Sequence, residues 1–151
     1  MKAVIQRVRD ASVRVKEAVT GSIARGLLVY LGVALDDTEK DAAWLAEKIV
    51  NLRIFEDPQG KMNLSLLDIS GKDAGILTIS QFTLLADASK GRRPYYGNAA
   101  PPEKAKTLYE YFMGKIREQE IVCEAGIFQA HMDVCYTNDG PVTIVLDSRD
   151  N

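Results

Sequence analysis

GLLVYLGVAL (residues 26–35), followed almost at once by TEKDAAWLAEKIVNL (residues 38–52), decides the fold class of this chain. The first stretch is apolar or glycine throughout and shows no polar alternation, so it predicts a strand buried on both faces at the centre of a sheet. In the second the period changes. Ala42, Leu45, Ala46, Ile49 and Leu52 fall at helical spacing behind Thr38, a residue suited to N-capping, and predict an amphipathic helix.

Towards the N-terminus, SVRVK (residues 12–16) alternates Val13 and Val15 with Ser12, Arg14 and Lys16, which predicts a half-exposed strand with a basic outer face. Gly21 and Gly26 punctuate the segments between. Towards the C-terminus, EDPQGKMN (residues 56–63) holds Pro58 and Gly60 in a turn, and GILTISQF (residues 75–82) reads as another strand. A second helix begins near Pro101 and Pro102, carries Ala105, Leu108, Phe112 and Ile116 on one side, and ends before Glu120. The last quarter returns to strands: IVCEA, MDVCY, a hairpin turn through Asn138, Asp139 and Gly140, then VTIVL. With no repeat or linker, residues 1–151 form one mixed α/β domain with two main covering helices.

Composition narrows the class of function. With 46% hydrophobic and 26% charged residues, the chain matches globular proteins rather than disordered or fibrous ones. Its longest apolar run falls short of the roughly 20 residues that cross a membrane, and Arg7, Arg9 and Asp10 interrupt any export signal. Two cysteines, Cys123 and Cys135, lack metal-ligand spacing and read as small core residues in a reducing cytoplasm. The net charge of −2 argues against broad attraction to nucleic acid, so any RNA contact must be local.

The usual catalytic templates fail. A serine triad or a cysteine–histidine pair needs an imidazole, and the only one is His131, which reads as a structural residue beside a strand start. No HExxH, CxxC or EF-hand spacing offers a metal site, and no P-loop or dinucleotide fingerprint implies a cofactor. If the chain is an enzyme, backbone groups or the substrate must carry much of the chemistry. Ser80, Gln81, Phe82 and Thr83 end an apolar strand with three polar side chains around one aromatic, but an ordinary strand terminus explains them at least as well. NDGPVT (residues 138–143) reads as a plain hairpin with proline at the first position of a strand. In KGRRP, Lys90, Arg92 and Arg93 precede Tyr95 and Tyr96, a grouping that suits phosphates and stacked bases or, equally, a solvated loop.

Taken in order, QRV (6–8), LRIFED, GKMN, SQFTL, KGRRP, LYEYF, GIFQAHMDV and NDGPVT resemble the D-aminoacyl-tRNA deacylase family, over about Met1 to Ser148. The joint occurrence of SQFT and GPVT at this separation is specific, whereas either tetrapeptide alone is weak. The resemblance implies a barrel-like core, a homodimer, no cofactor and no required metal. It implies hydrolysis of the ester joining a D-amino acid to the 3′-terminal adenosine of tRNA in the cytoplasm. It implies that the Gly140–Pro141 bond is cis and reaches into the partner's SQFT site, rejecting L-amino acids with main-chain atoms while achiral glycine slips past.

Roles follow by position within the resemblance. Backbone N–H groups around Phe82 and Thr83 would form an oxyanion hole, Ser80 and Gln81 would position the adenosine or the pocket wall, and Phe128 and Met132 would line the adenosine side. Arg7 would anchor the partner's loop, Asn138 would belong to the chiral-selective segment, and Lys90, Arg92 and Arg93 would touch tRNA. Thr83 as a covalent nucleophile is the sharper alternative, although no base lies in reach. One departure stands out: Gln129 occupies a position where the family usually has glycine, and a side chain there would narrow the adenosine pocket and bear on affinity more than on reaction class. Two other readings compete, a non-catalytic RNA-binding module and a general small-molecule esterase. Intact SQFT and GPVT count against the first, and the missing nucleophile–base pair against the second.

Overall fold

The computed structural model describes residues 1–69, 71 and 74–150. In chain order the strands and helices are β1 (Lys2–Val15), β2 (Ala18–Ile23), β3 (Arg25–Gly32), α1 (Glu39–Val50), β4 (Phe55–Glu56), β5 (Met62–Leu64), α2 (Leu66–Ile69), β6 (Ala74–Ser80), α3 (Pro102–Arg117), β7 (Val122–Ala125) and β8 (Asp133–Asp147). Single 3-10 turns at Phe82–Leu85 and Ser148–Asp150 complete the described chain. The two predicted helices are present. The one-turn α2 was not legible because it carries too few residues for a periodic pattern.

β3 is central, as its two-sided apolar sequence requires: it pairs antiparallel with β1 and parallel with β6, which in turn pairs parallel with β7. Because successive side chains alternate, Leu27 and Val29 join Ile5, Ile76, Leu45, Ile49, Phe112 and Ile116 in the core under α1 and α3. Leu28 instead packs with Val8, Val13, Leu77 and Ile79 in a second cluster, flanked by Tyr30, Met132 and Val134. Each such fully buried side chain stabilises the fold by about 1.5–3 kcal/mol.

The sheet curls into a half-barrel. One edge of β1 pairs first with β3 and then with β2, while β8 runs along its other edge for almost the whole length. Closure brings β2 onto β7 at Gly21, where a Cβ would stand 2.6 Å from the carbonyl oxygen of Ala125, so only glycine permits the approach. α1 starts where expected: the Asp41 carboxylate accepts both the backbone N–H and the hydroxyl of Thr38, each at 2.8 Å. It ends at Val50, leaving Leu52 just beyond the helix but still packed on the core. α3 opens with proline at its first position, and Leu108, Phe112 and Ile116 are buried.

A buried clamp fastens the start of β1. The Met1 ammonium, fully buried, donates to Asp37 Oδ1 at 2.5 Å and to Ser148 Oγ at 2.6 Å. Asp37 Oδ2 also accepts the Ala34 N–H at 2.6 Å, and Ser148 Oγ donates to Asp41 at 2.8 Å.

Three expectations need correction. The segment through Asn138, Asp139 and Gly140 is no hairpin: β8 continues in one direction, with Asn138 opposite Val8 and Thr143 opposite Gln6. The four residues between them oppose Arg7 alone and form a wide bulge. Turn-forming residues bulge here because β1 offers one continuous partner edge to both halves. Cys123 is buried as predicted, but Cys135 is exposed on β8. His131 is no core histidine, since its side chain is 96% exposed, with Nε2 3.9 Å from Asp133 Oδ1.

Candidate active site

β3 and β6 run parallel, and beyond their carboxyl ends lies a cavity of about 760 Å³. Ligands favour this position in parallel sheets because chain crossings leave a crevice there. Leu31, Val33 and Ile79 form part of its apolar wall, and Pro101, Ala105 and Tyr109 contribute the start of α3. The turn after β7 supplies Phe128, Gln129, His131 and Met132, while Ser80, Gln81 and Phe82 form the polar rim.

Local hydrogen bonding explains how that rim is built. The Gln81 N–H donates to Leu31 O at 2.8 Å, extending the β3–β6 ladder by one step, and the chain then tightens into the 3-10 turn through Leu84 N–H to Gln81 O. The N–H groups of Phe82 and Thr83 begin this turn and have no acceptor among the described residues. The Gln81 amide donates to the Thr83 hydroxyl. Thr83 is exposed and does not line the cavity, whereas Ser80, Gln81 and Phe82 do. The Phe82 ring meets Tyr96 edge to face at 5.2 Å, making an aromatic lip.

On the opposite wall Phe128 leans on Tyr109, centroids 5.9 Å apart. The Tyr109 hydroxyl donates to Thr78 O at 2.7 Å, and burial pushes its phenol above the ordinary range, so it stays protonated. Ala105 carries no site signal in the sequence because it falls on the helical stripe that reads as core, and Tyr109 carries none because it is one of several aromatics in LYEYF. Among the described residues no group of three or more His, Cys, Asp or Glu could hold a metal ion.

Arg7, Asn138, Gly140 and Pro141 gather elsewhere, at the β8 bulge. The Gly140–Pro141 bond is cis, as the resemblance implied, and Gly140 has φ +120°. The Asn138 side chain straps the base of the bulge, its Oδ1 accepting the Val142 N–H at 3.3 Å and its Nδ2 donating to Thr143 Oγ1 at 3.1 Å. Arg7, itself buried, donates through Nη1 to Ile54 O at 2.5 Å and pairs through Nε with Asp139 Oδ2 at 3.2 Å. It therefore props the loop of its own chain.

None of these four residues lines the cavity. Arg7 stands level with Leu27 and Ile76, four residues before Ser80, and β8 is three strands away from β6. That amounts to roughly 13 Å along the strands and 14 Å across them. One chain thus presents a pocket without the bulge and a bulge without the pocket. Lys90, Arg92 and Arg93 project from an exposed loop closed by the Asp87–Tyr95 bridge, with no carboxylate partner among the described residues. They lie outside the cavity, though Tyr96 joins their loop to its lip.

A half-barrel carrying a pocket rimmed by backbone donors at the strand ends, with a separate glycine–proline bulge, defines a specific class of single-domain α/β proteins. A family model described as D-Tyr-tRNA(Tyr) deacylase matches residues 4–147, and the chain belongs to that family. Relatives named D-aminoacyl-tRNA deacylase include one from Geotalea uraniireducens, 59% identical over 100% of this chain and 96% of the relative. Another, from Kosmotoga olearia, is 58% identical over 99% of this chain and 98% of the relative. Among solved structures, "c-Myc DNA Unwinding Element Binding Protein" superposes with TM-score 0.88 at 43% identity, covering 97% of this chain and 98% of that one. A second, "Structural Analysis of a probable eukaryotic D-amino acid tRNA deacylase", has TM-score 0.81 at 16% identity over 96% and 97%, which shows a shared fold.

Proposed function

We propose that this chain hydrolyses the ester of D-aminoacyl-tRNA, releasing the free D-amino acid and tRNA. The observation that carries the reading is a pair of successive N–H groups, that of Phe82 on the cavity and that of Thr83 next to it in the chain, which lack acceptors among the described residues. Water attacks the ester carbonyl carbon, the tetrahedral oxyanion is held by those N–H groups, and the ribose oxygen leaves with a proton. The aminoacyl ester is intrinsically reactive, so positioning and oxyanion stabilisation suffice without a nucleophilic side chain. The terminal adenosine lies towards Phe128 and Met132, with Ser80 and Gln81 setting the pocket wall. Lys90, Arg92 and Arg93 meet phosphates of the tRNA.

Selectivity comes from a second copy of the chain. Among the described residues the 15-residue β8 pairs only with β1, and its other edge, with exposed Val145 on the strand, is suited to pairing between copies. In the homodimer the Gly140–Pro141 bulge of one protomer completes the cavity of the other. Its main-chain carbonyls contact the substrate's amino group and fill the space an L side chain would need, whereas a D side chain points away. Glycine, having no side chain, escapes this filter, so limited release from glycyl-tRNA is expected. The name of the DNA-binding relative finds little support in this chain, whose net charge is −2.

Deacylation of D-tyrosyl-tRNA against L-tyrosyl-tRNA tests the reading. Release from the D-ester alone is expected, release from neither favours a binding module, and equal release from both removes the chirality claim. Thr83→Ala separates the two chemical routes. The Thr83 hydroxyl meets the Gln81 amide, which is no base, so the variant should keep activity within roughly threefold. A loss above about a hundredfold in single-turnover rate would instead make Thr83 the nucleophile.

A further inference from the structure

Among the described residues three non-glycine residues adopt left-handed backbone conformations: Lys16, Glu120 and Gln129, with φ of 56°, 60° and 64°. Lys16 sits in the β1–β2 turn and Glu120 just past α3, where the chain reverses at the surface. Gln129 is different, because it forms part of the cavity wall. It occupies the third position of the turn Ile127–Ala130, closed by the Ala130 N–H on Ile127 O at 3.1 Å. Glycine would adopt this conformation without steric conflict, so the glutamine is held against a local preference, as happens where a side chain serves a site.

The Gln129 side-chain amide has no hydrogen-bond partner among the described residues. Beside it the Phe128 ring also lines the cavity. A primary amide presents N–H donors next to a carbonyl acceptor, the complement of adenine's amino group and adjacent ring nitrogen. Guanine offers two acceptors along its corresponding edge and does not match.

We infer that Gln129 is a base-reading residue, its amide bonding the amino edge of the terminal adenine while that ring lies against Phe128. The inference rests on the proposed placement of the adenosine and deepens it: the terminal base is recognised by a side chain, where the ester is handled by backbone.

The test uses two analogues that cannot be hydrolysed, 3′-(D-tyrosylamino) derivatives of adenosine and of purine riboside, which lacks only the 6-amino group. Each is titrated calorimetrically into the full chain. Wild type should bind the adenosine analogue roughly 5- to 100-fold more tightly. In Gln129→Gly both should bind as the purine riboside analogue binds wild type, and that retained binding shows the cavity intact. A preference unchanged in Gln129→Gly, or none in wild type, overturns the inference. A variant that binds neither analogue also overturns it, because the contribution is then to the cavity's shape. The deacylase reading fails separately, through absence of D-tyrosine release from D-tyrosyl-tRNA.

Discussion

Two inactive variants are expected to restore one another's activity when their subunits are exchanged. In the first, Gly140→Val, a Cβ at φ +120° would stand 2.9 Å from Val142 Cγ2 and 3.0 Å from Arg7 Nη2, so the bulge must shift or thrust a branched side chain at whatever it faces. In the second, Ala130→Trp, an indole fills the cavity from its own wall. If each site combines one protomer's cavity with the other's bulge, a mixed dimer holds one site with both lesions and one with neither. By two-fold symmetry a fully exchanged equimolar mixture then recovers about a quarter of wild-type activity. Sedimentation and circular dichroism of each variant alone check that both remain folded and paired. Differently tagged subunits that exchange yet regain no D-tyrosyl-tRNA deacylation would show that the bulge does not serve the neighbouring cavity.

Asp37→Ala should be the most destabilising single change at a polar residue. Asp37 is 3% exposed and accepts both the Met1 ammonium and the Ala34 N–H. Removing it leaves a buried cation and a buried donor with Ser148 Oγ as the ammonium's main remaining partner. Deleting one member of a buried ion pair costs about 3–5 kcal/mol, because the survivor's desolvation is no longer offset. For a domain of about 150 residues that corresponds to a fall in Tm of roughly 10 °C. Asp37→Asn, which keeps the shape and one carbonyl acceptor, should lose less. A urea midpoint in Asp37→Ala matching wild type would remove the clamp from the account of stability.

Much of the site was legible as residues but not as a place. Ser80, Gln81 and Phe82 stand on the cavity, as do Phe128 and Met132, because strand ends and turns are where side chains and backbone donors remain unspent. Tyr109 was not legible as a site residue, since it belongs to the same buried cluster as Phe112 while also lining the cavity. His131 looked structural from its apolar neighbours, yet the turn holding Gln129 swings it into solvent.

What the sequence determined by itself was local. Apolar runs without alternation, helical spacing behind Thr38, and prolines at the start of α3 each act through neighbours within a few residues, so they specify strands and helices wherever the chain goes. The family too was legible, through motifs in fixed order. Only the tertiary structure decided that residues 139–142 form a bulge in an unbroken strand rather than a hairpin, since that depends on both halves sharing the edge of β1. It also decided that Arg7 props its own chain's loop, and that cavity and bulge stand apart on one curled sheet. Such relations join residues more than a hundred positions apart, and sheet pairing and side-chain burial, not local propensity, set them.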